Sequence, residues 1–342
     1  METKEVVIKA DNLKKWFPVK LGFIRTLVSR RQLFVHAVDG VSLEIKRGEI
    51  FGLAGESGSG KTTTGRMLLR LIEPTEGQIY FEGTETTHLN DTQMRPLRRQ
   101  MQIVFQDPYE SLNPRMTVGD IVAEPLRVLN VVRNDNELQK RVKTTLEDVE
   151  LYPADEFIFR YPHELSGGQR QRVAVARAFA LNPRFIVADE PVSMLDVSIR
   201  AEILNLMRGL VDKYKTSFLY ITHDLALARH MCDRIGVMYL GKMMEMGSAE
   251  QVIFEPLHPY TRALIAAVPV PDPTAKRIEV VIKGEIPSPV NPPSGCRFHT
   301  RCPSYIGDIC RREEPQLIDY GNKHMVACHL WPKEVTTPVL KA

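Results

Sequence analysis

Residues 55–62 read Gly55-Glu56-Ser57-Gly58-Ser59-Gly60-Lys61-Thr62 and fit the pattern G-x-x-x-x-G-K-[ST]. Glycines let the backbone turn with φ above zero and keep Cβ atoms out of an approaching anion's way. Successive N–H groups can then point inward as a nest for phosphate. A helix starting after the loop adds the positive end of its dipole. Lys61 supplies a cation between β- and γ-phosphates, Thr62 offers a hydroxyl to Mg²⁺, and Thr63 is expected to reach the α-phosphate.

A second group lies about 130 residues further on. The apolar run Phe185-Ile186-Val187-Ala188 ends in Asp189-Glu190. A parallel sheet presents its ligand-facing residues at such strand ends. Asp189 suits Mg²⁺, directly or through water, and Glu190 suits a general base that orients and polarises a water. Alone, two acids at a strand end are common; after a phosphate loop they form a hydrolytic pair.

A third string, Leu165-Ser166-Gly167-Gly168-Gln169, precedes a helix expected over Val173 to Leu181. Ser166 can donate a hydroxyl and the glycines can expose N–H groups, so it reads as a second phosphate nest. One nucleotide does not need two cradles from one domain. The second is therefore expected to serve the nucleotide bound by a partner.

The elements that must hold these residues can be read from periodicity. Ile50–Ala54, Gln102–Phe105, Phe185–Ala188 and Phe218–Thr222 are short apolar strands of the buried parallel kind. Helical periodicity runs from Thr62 to Ile72, where Pro74 and Gly77 stop it. Strands alternating with helices predict an α/β core. Ser111 to Leu181 is helical in pattern and reads as an inserted helical subdomain, about 107–181. Arg234–Gly247 reads as a hairpin around Gly241-Lys242. Prolines become dense after Gly247, from Pro256 to Pro293, which suggests a linker into a small separate module.

Composition narrows the class. The net charge of +3 is too small to argue for nucleic acid, since an obligate DNA binder would usually show a clustered basic stripe. No run of 18 apolar residues occurs, and the first residues, METKEVVIKADN, lack a signal core. The chain is expected to stay inside the cell, with any membrane-spanning part supplied by other subunits. The basic stretch Lys14 to Arg31, with Phe23, Leu27 and Leu33 interleaved, reads as a solvated loop rather than a lipid-facing surface.

A phosphate loop, then LSGGQ, then an acidic strand end resemble the ABC ATPase family. The strings FQDPYESLNPRMTV, YPHELSGGQRQRVAVARA, PLHPYTRAL and PVNPPSGC resemble more narrowly the ATPases of oligopeptide/dipeptide importers, over about residues 5–330, with LSGGQRQR similar to the F-type subunit. The resemblance implies a P-loop NTPase cassette with a RecA-like parallel-sheet core, an antiparallel β subdomain and a helical subdomain. It places the ATP-binding domain at 1–250 and a C-terminal oligopeptide-transporter domain at 251–342. It makes Gln106 the Q-loop glutamine that touches Mg²⁺ and faces the membrane subunit. It makes Asp196 the D-loop acid, where Met194 departs from the family's usual Ala, and His223 the switch histidine at the γ-phosphate. It makes Phe17 the aromatic that stacks on adenine, with Trp16 a rival. Lone Gln, His and Phe residues have bland explanations; their order and spacing carry the match.

The implied activity is ATP hydrolysis coupled to import of di- or oligopeptides at the cytoplasmic face of the cell membrane. The implied partners are a second ATPase subunit (D-type in a heterodimer, or another copy), two transmembrane permeases and an extracytoplasmic solute-binding protein. Other solutes in this group include nickel and oligosaccharides. A soluble ABC ATPase acting on DNA or ribosomes would be expected to carry two cassettes or long coiled-coil arms, and neither is present. A non-catalytic regulator is disfavoured by intact Lys61, Asp189, Glu190 and His223.

Five cysteines are unevenly placed. Cys232 stands alone, while Cys296, Cys302, Cys310 and Cys328 follow C-x5-C-x7-C-x17-C. In a cytosolic protein such a group suggests metal rather than disulfides. Zinc sites usually show C-x₂₋₄-C pairs, absent here, and irregularly spaced thiolates can equally hold an Fe–S cluster. The family resemblance implies a [4Fe-4S] cluster; zinc or no metal are the alternatives. Its role would be to staple a Pro-rich module short of core residues.

Overall fold

The computed structural model describes residues 5–19, 32–267, 282 and 284–331. Residues 20–31 of the basic stretch, and most of the proline-rich segment after 267, lie outside the described residues.

Two long strands open the chain, β1 (Val6–Pro18) and β2 (Phe34–Lys46). β3 (Ile50–Ala54) leads into the phosphate loop and helix α1 (Lys61–Leu68). β4 (Glu76–Phe81), β5 (Thr84–Glu85), α2 (Asp91–Arg98) and β6 (Met101–Val104) follow. The helical insert comprises α3 (Pro108–Ser111), α4 (Val118–Val128), α5 (Asp135–Asp148), α6 (Ala154–Phe157) and α7 (Gly167–Phe179). The chain then alternates through β7 (Phe185–Asp189), α8 (Val197–Tyr214), β8 (Ser217–Thr222), α9 (Leu225–Met231), β9 (Arg234–Tyr239) and β10 (Lys242–Ser248). α10 (Ala249–Phe254), α11 (Pro259–Ala266), α12 (Asp308–Arg312), β11 (Ile318–Asp319) and β12 (Met325–Val326) complete it.

The strands form two sheets. One is antiparallel in the order β2-β1-β4-β5. The other runs β11-β12-β10-β9-β3-β8-β7-β6, with β3, β6, β7, β8 and β9 parallel to one another. Every residue of β3, β7 and β8 is buried, as continuous apolar strands covered on both faces must be. Four of the chemical groups found in the sequence follow the carboxyl ends of parallel strands. The phosphate loop follows β3, Gln106 follows β6, Asp189-Glu190 end β7 and His223 follows β8.

The strand expectations hold to within a residue, and the hairpin forms as β9–β10. One helix differs. α7 begins at Gly167, well before Val173, because Ser166 caps it. Its hydroxyl accepts from the Gln169 N–H at 3.3 Å, while Gln169 Oε1 accepts from the Ser166 N–H at 3.0 Å. This reciprocal capping box starts the helix inside LSGGQ, where apolar periodicity is silent.

The C-terminal residues dock on the cassette instead of standing apart. β12 adds to the main sheet by pairing with β10. Beneath this junction the fully buried Glu245 accepts from the Leu257 and His258 N–H groups at 2.8 and 2.9 Å, and pairs with His324 at 2.7 Å. A buried carboxylate needs such partners, since each unmade hydrogen bond would destabilise the fold.

Candidate nucleotide site

A cavity of about 790 Å³ is lined by Phe17, Val35, Ala37, Ser57, Gly58, Gly60, Lys61, Thr62, Thr63, Gln106, Glu190, His223 and Pro289. Residues from seven separate parts of the chain therefore meet around one space. The phosphate loop forms its floor. Gly58 and Gly60 hold φ of +77° and +104°, values that L side chains rarely adopt. Gly55 and Gly60 also carry a packing demand: a Cβ on either would come within 2.2 Å of a backbone oxygen, Met238 O or Ala37 O respectively.

Lys61 is buried and donates to the Gly55 and Glu56 carbonyls at 2.8 and 2.9 Å. Burial pulls its pKa below the ordinary lysine value, and Glu190, Asp189 and Glu56 oppose that shift. Thr62 Oγ1 donates to Asp189 Oδ1 at 2.9 Å. Burial raises the Asp189 pKa, and the Thr62 hydrogen bond works against it. A hydroxyl and a carboxylate side by side are hard oxygen donors of the kind Mg²⁺ selects, and Mg²⁺ commonly takes one or two protein oxygens plus substrate phosphates. The pair fits that ion.

Glu190 is the centre of the far wall. His223 Nδ1 lies 3.0 Å from its Oε2, and Gln106 Nε2 donates to the same oxygen at 3.3 Å. Two residues more than a hundred positions apart thus converge on one carboxylate. The Glu190 backbone sits at φ +46°, sparsely populated for a residue with a side chain. It is held there by its N–H bond to Ile221 O at 3.0 Å and by Ser193, whose N–H and hydroxyl both donate to the Glu190 carbonyl. Strain of this kind, over-determined by its surroundings, is characteristic of functional positions.

Between the two aromatics, geometry separates the candidates. Phe17 lines the cavity. Trp16 turns away, donating its ring N–H to Asp39 at 3.2 Å and packing on His36 with centroids 4.6 Å apart.

The LSGGQ string does not line this cavity. Ser166 is exposed at the start of α7. Gly168 is buried, and a Cβ there would meet Ile199 Cγ2 at 2.8 Å, so this glycine serves close packing of α7 on α8. Asp196 is exposed at the start of α8, between exposed Met194 and Val197.

The four tail cysteines share one module and are all free. Burial pushes the Cys296 thiol up to about 12, and Cys328, Cys302 and Cys310 raise it further. Cys328 rises to about 11, again chiefly through burial. Among the described residues no group of three or more His, Cys, Asp or Glu side chains is placed to hold a metal ion. The metal site expected from the cysteine spacing is thus not assembled in this structure, where Cys296 is buried and Cys302, Cys310 and Cys328 are half-buried.

Sequence reasoning missed the C-terminal contributions. Pro289 lines the cavity and its carbonyl accepts from the His36 N–H at 3.0 Å. Tyr260 and Arg301 reach the phosphate loop from behind. No spacing rule marks them; Tyr260 falls in the string PLHPYTRAL, which carries only the family resemblance.

A phosphate nest, an Mg²⁺-suited oxygen pair and a supported carboxylate at the ends of parallel strands define a nucleoside-triphosphate-hydrolysing cassette. Residues 38–193 match the ABC transporter family, and residues 244–310 match the oligopeptide/dipeptide transporter C-terminal region. The oligopeptide transport ATP-binding protein AppF of Bacillus subtilis is 48% identical over 96% of this chain and 98% of its own. A putative peptide import ATP-binding protein of Brucella ovis is 52% identical over 87% and 93%. Among solved structures, the dimeric post-hydrolysis state of the ATP-binding cassette MJ0796 bound to ADP and Pi is 33% identical, with a TM-score of 0.61 over 71% of this chain and 98% of that one. CbiO1 of Clostridium perfringens, part of the transporter complex cbiONQ, gives 0.62 at 26% identity over 74% and 92%. The chain belongs to the family of ATP-binding subunits of oligopeptide/dipeptide ABC transporters. Among the described residues no helix is long and apolar enough to cross a membrane.

Proposed function

We propose that this chain binds and hydrolyses ATP to drive import of di- or oligopeptides. The convergence of Gln106 and His223 on Glu190, above the phosphate loop, is the observation that carries the reading. Phe17 stacks on adenine, the loop amides and Lys61 hold the β- and γ-phosphates, and Thr63 reaches the α-phosphate. Thr62, Asp189 and Gln106 hold Mg²⁺, which when bound neutralises charge on the β- and γ-oxygens. Glu190 accepts a proton from the attacking water, and His223 and Gln106 fix the carboxylate's orientation while touching the γ-phosphate end. Ser166, Gly167, Gly168 and Gln169, with Asp196, face outward and complete the site of a partner cassette. The outward position of Ser166, away from the chain's own cavity, supports that division.

The finer assignments follow the family. The partner cassette is a D-type subunit or a second copy, the membrane part is two permeases, and an extracytoplasmic receptor delivers the peptide. The chain then sits peripherally on the cytoplasmic face. A [4Fe-4S] cluster on Cys296, Cys302, Cys310 and Cys328 is a separate proposal, supported only by the occurrence of four free cysteines within one C-terminal stretch. Iron, sulfide and zinc analysis of anaerobically purified protein decides among cluster, zinc and no metal.

The test of the main reading is reconstitution with the co-encoded permeases and receptor in vesicles. ATP enclosed on the cassette side should drive uptake of a labelled peptide. Uptake of nickel or an oligosaccharide with no peptide uptake would move the assignment to another solute. Absence of ATP hydrolysis by the assembled complex would remove the motor.

A further inference from the structure

Behind the phosphate loop, on the side away from the cavity, Glu56 is gripped twice. Its backbone N–H donates to the Tyr260 hydroxyl at 2.9 Å. Its carboxylate takes a two-pronged contact from Arg301, with Nη1 to Oε2 at 2.8 Å and Nη2 to Oε1 at 3.4 Å. Arg301 Nη1 also donates to the Tyr239 hydroxyl at 3.3 Å. The pair is well shielded, the Arg301 side chain being 10% exposed and that of Glu56 25%. Fork-on-carboxylate geometry gives direction as well as attraction, which a lysine cannot reproduce.

The platform under this contact is rigid. Tyr239, Tyr260 and Phe298 are buried against one another with ring centroids 4.8 to 5.3 Å apart. Tyr239 belongs to β9, Tyr260 to α11, and Phe298 and Arg301 to the cysteine-bearing turn between Cys296 and Cys302. The same segment reaches the other end of the cavity through Pro289. Glu56 is a loop residue whose side chain faces away from the cavity, so its type has no direct use in holding phosphate.

We infer that Arg301 and Tyr260 of the C-terminal domain are positioning residues for the phosphate loop, holding Glu56 so that the loop amides are set for the β-phosphate. The inference rests on reading the cavity as the ATP site. An anion nest works only when its N–H groups are fixed before the ligand arrives, since ordering them on binding would weaken affinity. The cassette's own elements fix the loop at Gly55 and Gly60. The C-terminal domain fixes it at the residue between.

The test measures ADP and ATP affinity of the full chain by displacement of a fluorescent nucleotide, with adenosine as a ligand lacking phosphate. Arg301→Gln and Glu56→Gln should each weaken ADP and ATP binding about fivefold, as loss of a charge-assisted pair does. The double variant should be no weaker than either single one, and Arg301→Lys should recover part of the loss. Adenosine affinity should not move. Tyr260→Phe, which keeps the ring packing, should weaken ADP about threefold and guards against a variant that fails to fold. Unchanged ADP affinity, a loss shared equally by adenosine, or losses that multiply in the double variant would each overturn the inference. If the unaltered chain binds neither ADP nor ATP, the ATP site itself falls. If it binds both and the variants bind as well, only the clamp falls.

Discussion

The chain carries two glycine-rich segments that could meet phosphate, and the fold treats them in opposite ways. The first, residues 55–62, is sunk between strands, its lysine buried and its glycines pressed against Met238 and Ala37. It faces an acidic pair and a histidine from the same chain. The second, residues 166–169, lies at the start of a helix, with an exposed serine, and does not line that cavity. A nest that lies at the surface can do work only against something brought to it. A buried, pre-arranged nest can bind alone. The contrast supports a motor whose chemistry waits on assembly.

The sharpest way to break the contrast is to remove the chemistry from the complete half. Glu190→Gln should leave ATP affinity intact and cut turnover by ~10²–10⁴. Single-turnover hydrolysis at near-normal rate would reject Glu190 as the base.

The next effect comes from the support behind the first nest. His258 is buried and its folded pKa is lowered to about 4, burial being the main cause, with Glu245 opposing and Arg262 assisting. Its Nδ1 accepts from the Tyr260 N–H at 3.0 Å. A group depressed in the folded state is neutral there while the unfolded chain takes up protons. Stability is therefore whole above the ordinary value of 6.5 and declines as pH falls towards 4. The decline is at most roughly 3 kcal/mol. Urea unfolding from pH 7 to pH 4.5 should show it. A His258→Gln chain with the same slope would assign the acid sensitivity elsewhere.

Smaller again is the steric asymmetry of the glycines. Gly55→Ala should destabilise by about 2 kcal/mol or more, because the Met238 backbone must yield and φ is +147°. Gly167→Ala, whose Cβ would meet only Leu195 at 3.6 Å, should change stability by less than ~1 kcal/mol. Equal losses in thermal unfolding would erase the distinction.

The smallest effect on the isolated chain, none on its ATP affinity, is expected of Ser166→Asp. Asp keeps the helix cap but sets a negative charge toward a partner's phosphates. Turnover of the assembled complex should fall about tenfold or more. A drop in the lone chain's ATP affinity would mean that the second nest serves its own nucleotide.

Much of this site was legible beforehand because its parts are local. A phosphate loop needs its glycines, lysine and threonine in unbroken order, so residues 55–62 announce themselves. The apolar runs of β3, β7 and β8 are continuous because parallel strands are covered on both faces. Asp189 and Glu190 are read from where such a run stops. Gln106 and His223 were identified through resemblance, and it is the strand order that brings them within reach of one oxygen. The helix start at Gly167 escaped the apolar pattern because a capping box, not periodicity, fixes it. The metal expected at the cysteines came from their number and spacing, which say nothing of how the fold places four thiols in space.

The sequence by itself determined which residues can bind phosphate, which can activate water and which strands carry them, since each depends on neighbours along the chain. Only the tertiary structure decided that Glu190 gathers His223 and Gln106, that Phe17 and not Trp16 faces the cavity, and that Arg301 reaches back to Glu56 across the whole cassette. Those pairings depend on sheet order and on the docking of β12 against β10, interactions between residues far apart in sequence whose partners no local pattern encodes.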